Sequence, residues 1–139
     1  MVESSASSNL LKSLPYTSTV SSVFQRDHKQ FGKKYLFDGK EDTCWNSDQG
    51  LPQHVTIKFE APQKVGVIKY TSQGGFCPKE IVVLADGVEV TRVEMGDSNF
   101  EQVINIPEPK EATTIKIEFT RASDLFGRII LYNLELLTQ

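Results

Sequence analysis

The residues best suited to chemistry in this sequence lie in one short segment, residues 37–46, which reads Phe-Asp-Gly-Lys-Glu-Asp-Thr-Cys-Trp-Asn. The dipeptide Asp38–Gly39 predicts a turn, because glycine accepts positive φ and an aspartate side chain accepts hydrogen bonds from nearby amides. Asp42 and Thr43 add hard oxygen atoms to this turn, and Trp45, the only tryptophan, supplies an apolar anchor. This combination predicts a metal-stapled or ligand-presenting loop on a rigid body.

Catalytic patterns are weak elsewhere in the sequence. His28 and His54 are far apart, and neither has a carboxylate or cysteine partner at metal-ligand spacing. The serines include none in a Gly-x-Ser-x-Gly elbow. Cys44 and Cys77 are too few for a disulfide scaffold, and the place of Cys44 beside Trp45 favours a partly buried, inert thiol. These observations predict a protein without enzymatic activity.

Length and charge narrow the class further. The chain has 139 residues and a formal charge of −3, which predicts one domain and gives no broad basic surface for nucleic acid or anionic membrane. No apolar run approaches the roughly 20 residues that cross a bilayer. The first residues, Met1 to Ser8, lack the basic start and apolar middle of a secretory signal peptide. We expect an intracellular protein with free thiols.

Strand patterns dominate the chain and must position the loop. Residues 54–59 alternate apolar and polar side chains, and Asp86–Gly87 separates two β-rich runs as in a hairpin. The predicted strands cover residues 19–24, 54–59, 65–70, 81–85, 88–93, 100–106, 114–119 and 128–137, with one helical turn over 30–36. Such spacing predicts an all-β antiparallel β-sandwich, or jelly roll, over residues 17–139 after a flexible N-terminal leader over residues 1–16.

Two inter-strand loops and the segment after Trp45 form a candidate partner-binding surface. Exposed Phe and Arg side chains are favoured at protein interfaces, since one buries a rigid ring and the other makes planar, bidentate contacts. The candidate residues are Asn46, Asp48, Gln49, Gln73, Phe76, Asp124, Phe126 and Arg128. We expect Arg128 to contribute to binding with little effect on stability. The alternative is that Phe76 and Phe126 fold back over the end of the sandwich as apolar plugs.

The segment around Asp38 also carries a family resemblance. Residues 35–39 together with 42–45 resemble the opening motif of the galactose-binding-like fold, which includes discoidin domains, coagulation-factor type C domains and one class of carbohydrate-binding modules. Residues 52–59 resemble the first long strand of that fold, and residues 131–137 resemble its closing strand. The resemblance implies a jelly roll that acts as a binding module.

Four further motifs resemble a small intracellular, nuclear receptor-associated branch of this superfamily. They are residues 30–34, 44–50, 73–76 and 126–128, in the same order along a chain of similar size. The resemblance implies a nuclear protein, with the cytoplasm as an additional location, that binds the testicular orphan receptor 4 and blocks its access to DNA response elements. The open alternatives are a carbohydrate-binding module and an adaptor subunit of a ciliary transport or ubiquitin-ligase complex.

A structural calcium ion is one of two interpretations of the Asp38 loop. Calcium takes six to eight oxygen ligands, and Asp38, Asp42 and Thr43 offer several on one turn. In the related carbohydrate-binding modules such a loop shares calcium with a glutamate of the last strand, and Glu135 occupies that position here. In the alternative, Asp38 and Thr43 cap backbone amides, whereas Asp42 and Glu135 are solvated.

Overall fold

The structure, a computed structural model, describes residues 9–138 as a β-sandwich of two antiparallel sheets. The strands are β1 Tyr16–Val20, β2 Trp45–Asn46, β3 Gln53–Lys64, β4 Val67–Ser72, β5 Pro78–Ala85, β6 Val88–Glu94, β7 Gln102–Asn105, β8 Glu111–Ala122 and β9 Ile130–Leu137. One sheet has the order β1-β3-β8-β5-β6, and the other has the order β2-β9-β4-β7. The predicted antiparallel sandwich is therefore confirmed.

The alternating pattern of β3 determines which side of its sheet faces the core. Val55, Ile57 and Phe59 are buried, whereas the side chains between them point outward. Val55 and Ile57 lie opposite Ile117 and Ile115 of β8, so that apolar side chains of neighbouring strands share one face. Burying each large aliphatic side chain stabilises the fold by about 1.5–3 kcal/mol.

Trp45 fills the centre of the core from the short strand β2. Its side chain is fully buried, and its ring centroid lies 6.2 Å from that of Phe119 on β8. The indole Nε1 donates a hydrogen bond of 2.8 Å to the carbonyl oxygen of Ser22. The expected apolar anchor is thus also a polar link between two segments far apart in sequence.

The helical segments are short and lie outside the sheets. Two α-helices, α1 Leu10–Ser13 and α2 His28–Phe31, accompany 3-10 turns over Phe24–Arg26 and Lys33–Leu36. The predicted helical turn over 30–36 is therefore divided at Gly32, where the backbone is extended (φ −74°, ψ 173°). None of the helices between residues 9 and 138 is long and apolar enough to cross a membrane.

The expected leader over residues 1–16 extends beyond the described residues, since residues 1–8 lie outside them. Its described part packs on the sandwich: Leu11 of α1 is buried in the core, and the backbone N–H of Leu136 donates to Asn9 Oδ1 at 3.0 Å. Tyr16 begins strand β1. Residues 9–16 therefore belong to the packed domain rather than to a leader.

Strand β1 ends at Val20, four residues before the end of the strand predicted over residues 19–24. The hydroxyl groups of Ser21 and Ser22 donate to Gln53 Oε1 at 2.5 and 2.7 Å, so these two serines turn toward the start of β3. The amide nitrogen of Gln53 in turn donates to the carbonyl oxygens of Gly50 (2.6 Å) and Asp48 (3.2 Å). One buried side-chain amide thereby connects the segment after β1 to the β2–β3 loop.

We predict that Gln53→Met lowers the free energy of unfolding by about 2–3 kcal/mol, because it leaves buried carbonyl and hydroxyl groups without partners. Urea denaturation followed by tryptophan fluorescence measures the loss. Gln63→Met is the matched control on the same strand, since the Gln63 amide makes one long hydrogen bond, 3.4 Å, to Ala61. Equal losses for the two variants would contradict the role given to Gln53.

Candidate binding surface at one end of the sandwich

One end of the sandwich, here called the loop end, gathers four segments that are distant in sequence. They are the turn at Phe24–Arg26 and the loops over residues 47–52, 73–77 and 123–129. The antiparallel pairing brings them together, since β3 and β5 begin beside the end of β8, and β2 pairs with the first residues of β9. The strands therefore position every segment of the candidate partner-binding surface at or near this end.

Backbone contacts lock the 47–52 and 123–129 loops against each other. Ser47 N–H donates to the carbonyl of Ile129 at 2.8 Å, and Ser47 Oγ accepts from Ile129 N–H at 2.8 Å. Gly50 N–H donates to the carbonyl of Phe126 at 2.8 Å. Gly127 has a φ of +82°, and a Cβ atom there would lie 3.1 Å from the Gly50 carbonyl carbon, so only glycine fits this close approach.

Arg128 packs against two aromatic rings at the loop end. Its guanidinium carbon is 4.1 Å from the ring centroid of Phe24 and 4.9 Å from that of Phe76. Arg128 Nη2 donates to Oδ1 of the buried Asn46 at 3.2 Å, whereas Nε is buried without a hydrogen-bond partner among the described residues. The guanidinium is thus in contact with two rings and with a buried amide, while Arg128 as a whole stays half-buried.

The 73–77 loop is held in place by the segment that follows β6. Asp97 Oδ1 accepts hydrogen bonds from the Cys77 thiol and from Gly75 N–H, both at 2.9 Å. These two hydrogen bonds lower the pKa of the Asp97 carboxyl from its ordinary value. Burial, and then the contact with Asp97, raises the pKa of the Cys77 thiol, which indicates a structural rather than a reactive cysteine.

The tip of the 123–129 loop exposes apolar side chains. Leu125 is 90% exposed and Phe126 is 61% exposed, and Leu51 of the facing loop is 42% exposed. Asp124 Oδ2 shapes this tip by accepting from the backbone N–H groups of Phe126 and Arg128. The alternative that Phe126 plugs the sandwich is therefore wrong, whereas Phe76 does fold back, onto Arg128.

The structure brings together only part of the predicted partner-binding set. Asn46, Phe76 and Arg128 are in contact or nearly so, and Asp124 supports the loop that carries Arg128. The remaining four candidates lie around this group. Phe126 is at the exposed loop tip, Asp48 and Gln49 are in the 47–52 loop, and Gln73, whose Oε1 accepts from the Tyr132 hydroxyl, is at the sheet edge. Their role in binding stays a prediction.

Phe24 and Leu51 belong to the loop end but were not among the predicted residues. Phe24 is the last residue of the strand predicted over residues 19–24, whereas in the structure it begins a turn in which Gln25 and Arg26 have positive φ (54° and 57°). Leu51 is a single apolar residue between Gly50 and Pro52, with no periodic pattern to mark it. The turn signal around Gly50 and Pro52 is the one local indication that Leu51 would be exposed.

The Asp38 loop has a different geometry from the predicted calcium site. Asp38 Oδ2 accepts from the Thr43 hydroxyl at 2.6 Å, and Asp38 Oδ1 accepts from Lys40 N–H at 3.0 Å. Glu135 lines a cavity of about 190 Å³ together with Phe37, Gly39 and Glu41 of the loop segment, but neither Asp38 nor Asp42 lines it. Across residues 9–138, no three His, Cys, Asp or Glu side chains lie close enough to hold a metal ion. The side chains alone therefore do not form a calcium shell, and the calcium ion stays a prediction.

Solved structures of carbohydrate-binding modules share this fold. The chitosan-binding module 1 from a Paenibacillus sp. IK-5 chitosanase/glucanase superposes with a TM-score of 0.75 at 20% identity, covering 93% of this chain and 98% of that one. The family 32 module of Clostridium perfringens NanJ, solved with galactose, superposes with a TM-score of 0.70 at 23% identity, covering 87% and 92%. These likenesses show that the chain has the same β-sandwich fold as these modules.

The sequence comparison defines the family. The family model of the F5/8 type C domain matches residues 17–131, and the chain belongs to this family. Within it, the chain is similar to the nuclear receptor 2C2-associated protein of Danio rerio, with 41% identity over 125 residues that cover 86% of this chain and 89% of the relative. The human protein of the same name is 39% identical over 125 residues, with the same coverage. The resemblance to the nuclear receptor-associated branch is confirmed.

We predict that Asp38→Ala lowers the free energy of unfolding by about 1–2 kcal/mol, because two hydrogen bonds in the loop are lost. Thermal melting in millimolar calcium and in excess chelator measures the loss, and an equal loss in both conditions would contradict the predicted calcium ion. Asp42→Ala, which removes an exposed neighbouring carboxylate, is the control and should have little effect in either condition. A loss that grows with calcium in both variants would instead establish the metal site, because a ligand of the native state stabilises it.

Because the Arg128 side chain packs against Phe24 and Phe76, we expect its replacement to lower the stability of the fold, contrary to the expectation from sequence. We predict that Arg128→Lys lowers the free energy of unfolding by about 1 kcal/mol, since an ammonium group cannot stack a planar face on either ring. Arg121→Lys is the matched control, because Arg121 is exposed and pairs with the exposed Glu94. If urea denaturation gave the same midpoint for both variants, the stabilising role of Arg128 would be contradicted.

Proposed function

We propose that this chain is a non-enzymatic interaction module that binds a nuclear receptor and represses it by blocking its access to DNA response elements. The observation that supports the proposal is the identity of about 40%, over most of the chain, to proteins named for association with nuclear receptor 2C2. The protein would act in the nucleus, where the receptor meets DNA.

The loop end supplies a physical basis for such binding. Leu51, Leu125 and Phe126 form an apolar tip on loops that are fixed by backbone hydrogen bonds, so little conformational entropy is lost when a partner covers them. Buried aromatic and aliphatic anchors of this kind often carry most of the energy of a protein interface. A sandwich bound through this end would exclude DNA from the adjacent receptor surface by its volume.

Competition for DNA tests the proposed mechanism. A fluorescently labelled response element is bound to the DNA-binding domain of nuclear receptor 2C2, and the chain is added in increasing concentration. Falling anisotropy, together with a receptor–chain complex in size-exclusion chromatography, is the expected result. A complex that forms without displacing DNA would contradict occlusion, and the absence of any complex would contradict the interaction itself.

We predict that the double variant Leu125→Ser/Phe126→Ser weakens receptor binding about tenfold or more, because it removes the apolar anchors. Stability should change by less than about 0.5 kcal/mol, since both side chains are exposed. Val88→Ser is the control, because Val88 is 55% exposed beside the β5–β6 turn at the opposite end of the sandwich. Unchanged affinity in the double variant, measured by calorimetry, would move the binding surface away from the loop end.

A further inference from the structure

A second concave surface lies on the outer face of the four-stranded sheet, beside the loop end. This surface, here called the sheet-face cavity, has a volume of about 430 Å³. Strands β4 and β9 form its floor through Thr71, Tyr132 and Asn133, and the segment before β7 forms a wall through Phe100 and Glu101. Glu41 of the Asp38 loop lines it from the other side.

A β-bulge in β9 directs two consecutive residues, Tyr132 and Asn133, toward this cavity. Lys69 of β4 lies opposite Glu135, and Thr71 lies opposite Tyr132, so that Asn133 and Leu134 together face the single residue Tyr70. Asn133 takes the left-handed conformation, with φ of +48°. Bulges of this kind redirect side chains and occur often beside functional sites. Tyr132 and Asn133 consequently both line the cavity, whereas Leu134 returns to the core.

The side-chain oxygen of Asn133 is an acceptor without a partner. Its Oδ1 atom is buried, and no described group donates a hydrogen bond to it. A buried acceptor left unpaired costs about 1–3 kcal/mol, and Asn133 lines the cavity, so a small movement of its side chain would let a donor in the cavity pair with this oxygen.

The charges of the sheet-face cavity are of one sign. Glu41 and Glu101 both line it, and no Lys, Arg or His of the described residues does. Neither glutamate takes part in an ion pair within residues 9–138. At the rim, the ring of Phe100 is 81% exposed. The cavity thus combines two carboxylates, an unpaired amide oxygen and an uncovered aromatic face.

We propose that the sheet-face cavity binds an arginine side chain from a basic segment of a protein partner. A guanidinium group has five N–H donors and no acceptor, which complements an orphan oxygen flanked by carboxylates. Its planar face stacks on an aromatic ring such as Phe100, which a lysine ammonium cannot do. A neutral glycan would also offer donors, but it would leave both carboxylates without a counter-charge.

The identity of the partner in this inference depends on the proposed function. Surfaces that bind DNA are rich in Lys and Arg, because they neutralise phosphates. A cavity that takes an arginine from such a surface would compete with DNA for the same side chain. The loop end would then supply apolar contact area, and the sheet-face cavity would select a basic partner.

The test uses the full chain, labelled with ¹⁵N and titrated at low salt with a capped hexa-arginine peptide. We expect amide shifts centred on Thr71, Glu101 and Asn133, with weaker binding of hexa-lysine and none of hexa-glutamine or galactose. Shifts spread over the surface or centred on the loop end would overturn the proposal. Equal binding of hexa-lysine would overturn the arginine assignment, and preferential binding of galactose in the cavity would replace the peptide with a glycan.

Charge-removing variants sharpen the test. Glu101→Gln should weaken hexa-arginine binding about two- to fivefold, as expected for the loss of an exposed ion pair. The double variant Glu41→Gln/Glu101→Gln should weaken it about tenfold. Asn133→Gly removes the orphan oxygen at a backbone conformation that glycine accepts, and it should weaken binding in the same direction. Glu108→Gln, an exposed glutamate of the β7–β8 loop, is the matched control and should leave the affinity unchanged. Unchanged affinity in both glutamate variants and in Asn133→Gly would overturn the proposal.

The receptor assay separates this inference from the proposed function. If the Glu41→Gln/Glu101→Gln variant displaces DNA from the receptor as well as the wild type does, the sheet-face cavity is not used and the function stands. If the wild type fails to bind the receptor but still binds hexa-arginine at the cavity, the proposed function fails and the site itself remains.

Discussion

The buried amide of Gln53 is the contact on which the geometry of the loop end depends. Its oxygen accepts from Ser21 and Ser22, and its nitrogen donates to the 47–52 loop, whose residues in turn bond to the 123–129 loop. Loops of this length lose much conformational entropy on ordering, and single exposed hydrogen bonds compensate little of it. A buried, fully bonded amide at the start of β3 therefore gives these loops the rigidity of the sheet.

Rigidity at this end determines what Arg128 can do. A guanidinium in contact with the rings of Phe24 and Phe76 has lost part of its rotamer freedom before any partner arrives, so a further hydrogen bond to it carries a smaller entropy cost. Arg128 is therefore at once part of the structure and part of the surface, and the two roles cannot be separated by a substitution to alanine alone.

Much of the fold follows from local sequence signals, whereas the surfaces do not. The strands β3 and β8 have a clear two-residue period, and the Asp86–Gly87 turn specifies its hairpin, so these elements could be predicted. Strand β2 has two residues and no period, and it exists only because β9 offers it a partner. The contact of Phe24 with Arg128 joins residues more than 100 positions apart, and the Asn133 bulge arises from the pairing of β9 with β4. Neither feature can be predicted from local patterns in a single sequence.

The 73–77 loop connects the loop end to the sheet-face cavity, because Gln73 of this loop also lines the cavity. Gly74 N–H donates to Asn99 Oδ1 at 2.6 Å, so the 73–77 loop beside Arg128 is tied to the segment that carries Phe100 and Glu101. A displacement of this loop on partner binding would move the wall of the sheet-face cavity. Apolar contacts contribute most of the affinity in protein interfaces, while charge complementarity contributes mainly partner choice and association rate. A partner that filled only one of the two proposed surfaces would therefore bind weakly or without selectivity, and the hydrogen bond between Gly74 and Asn99 would fix the spacing between them.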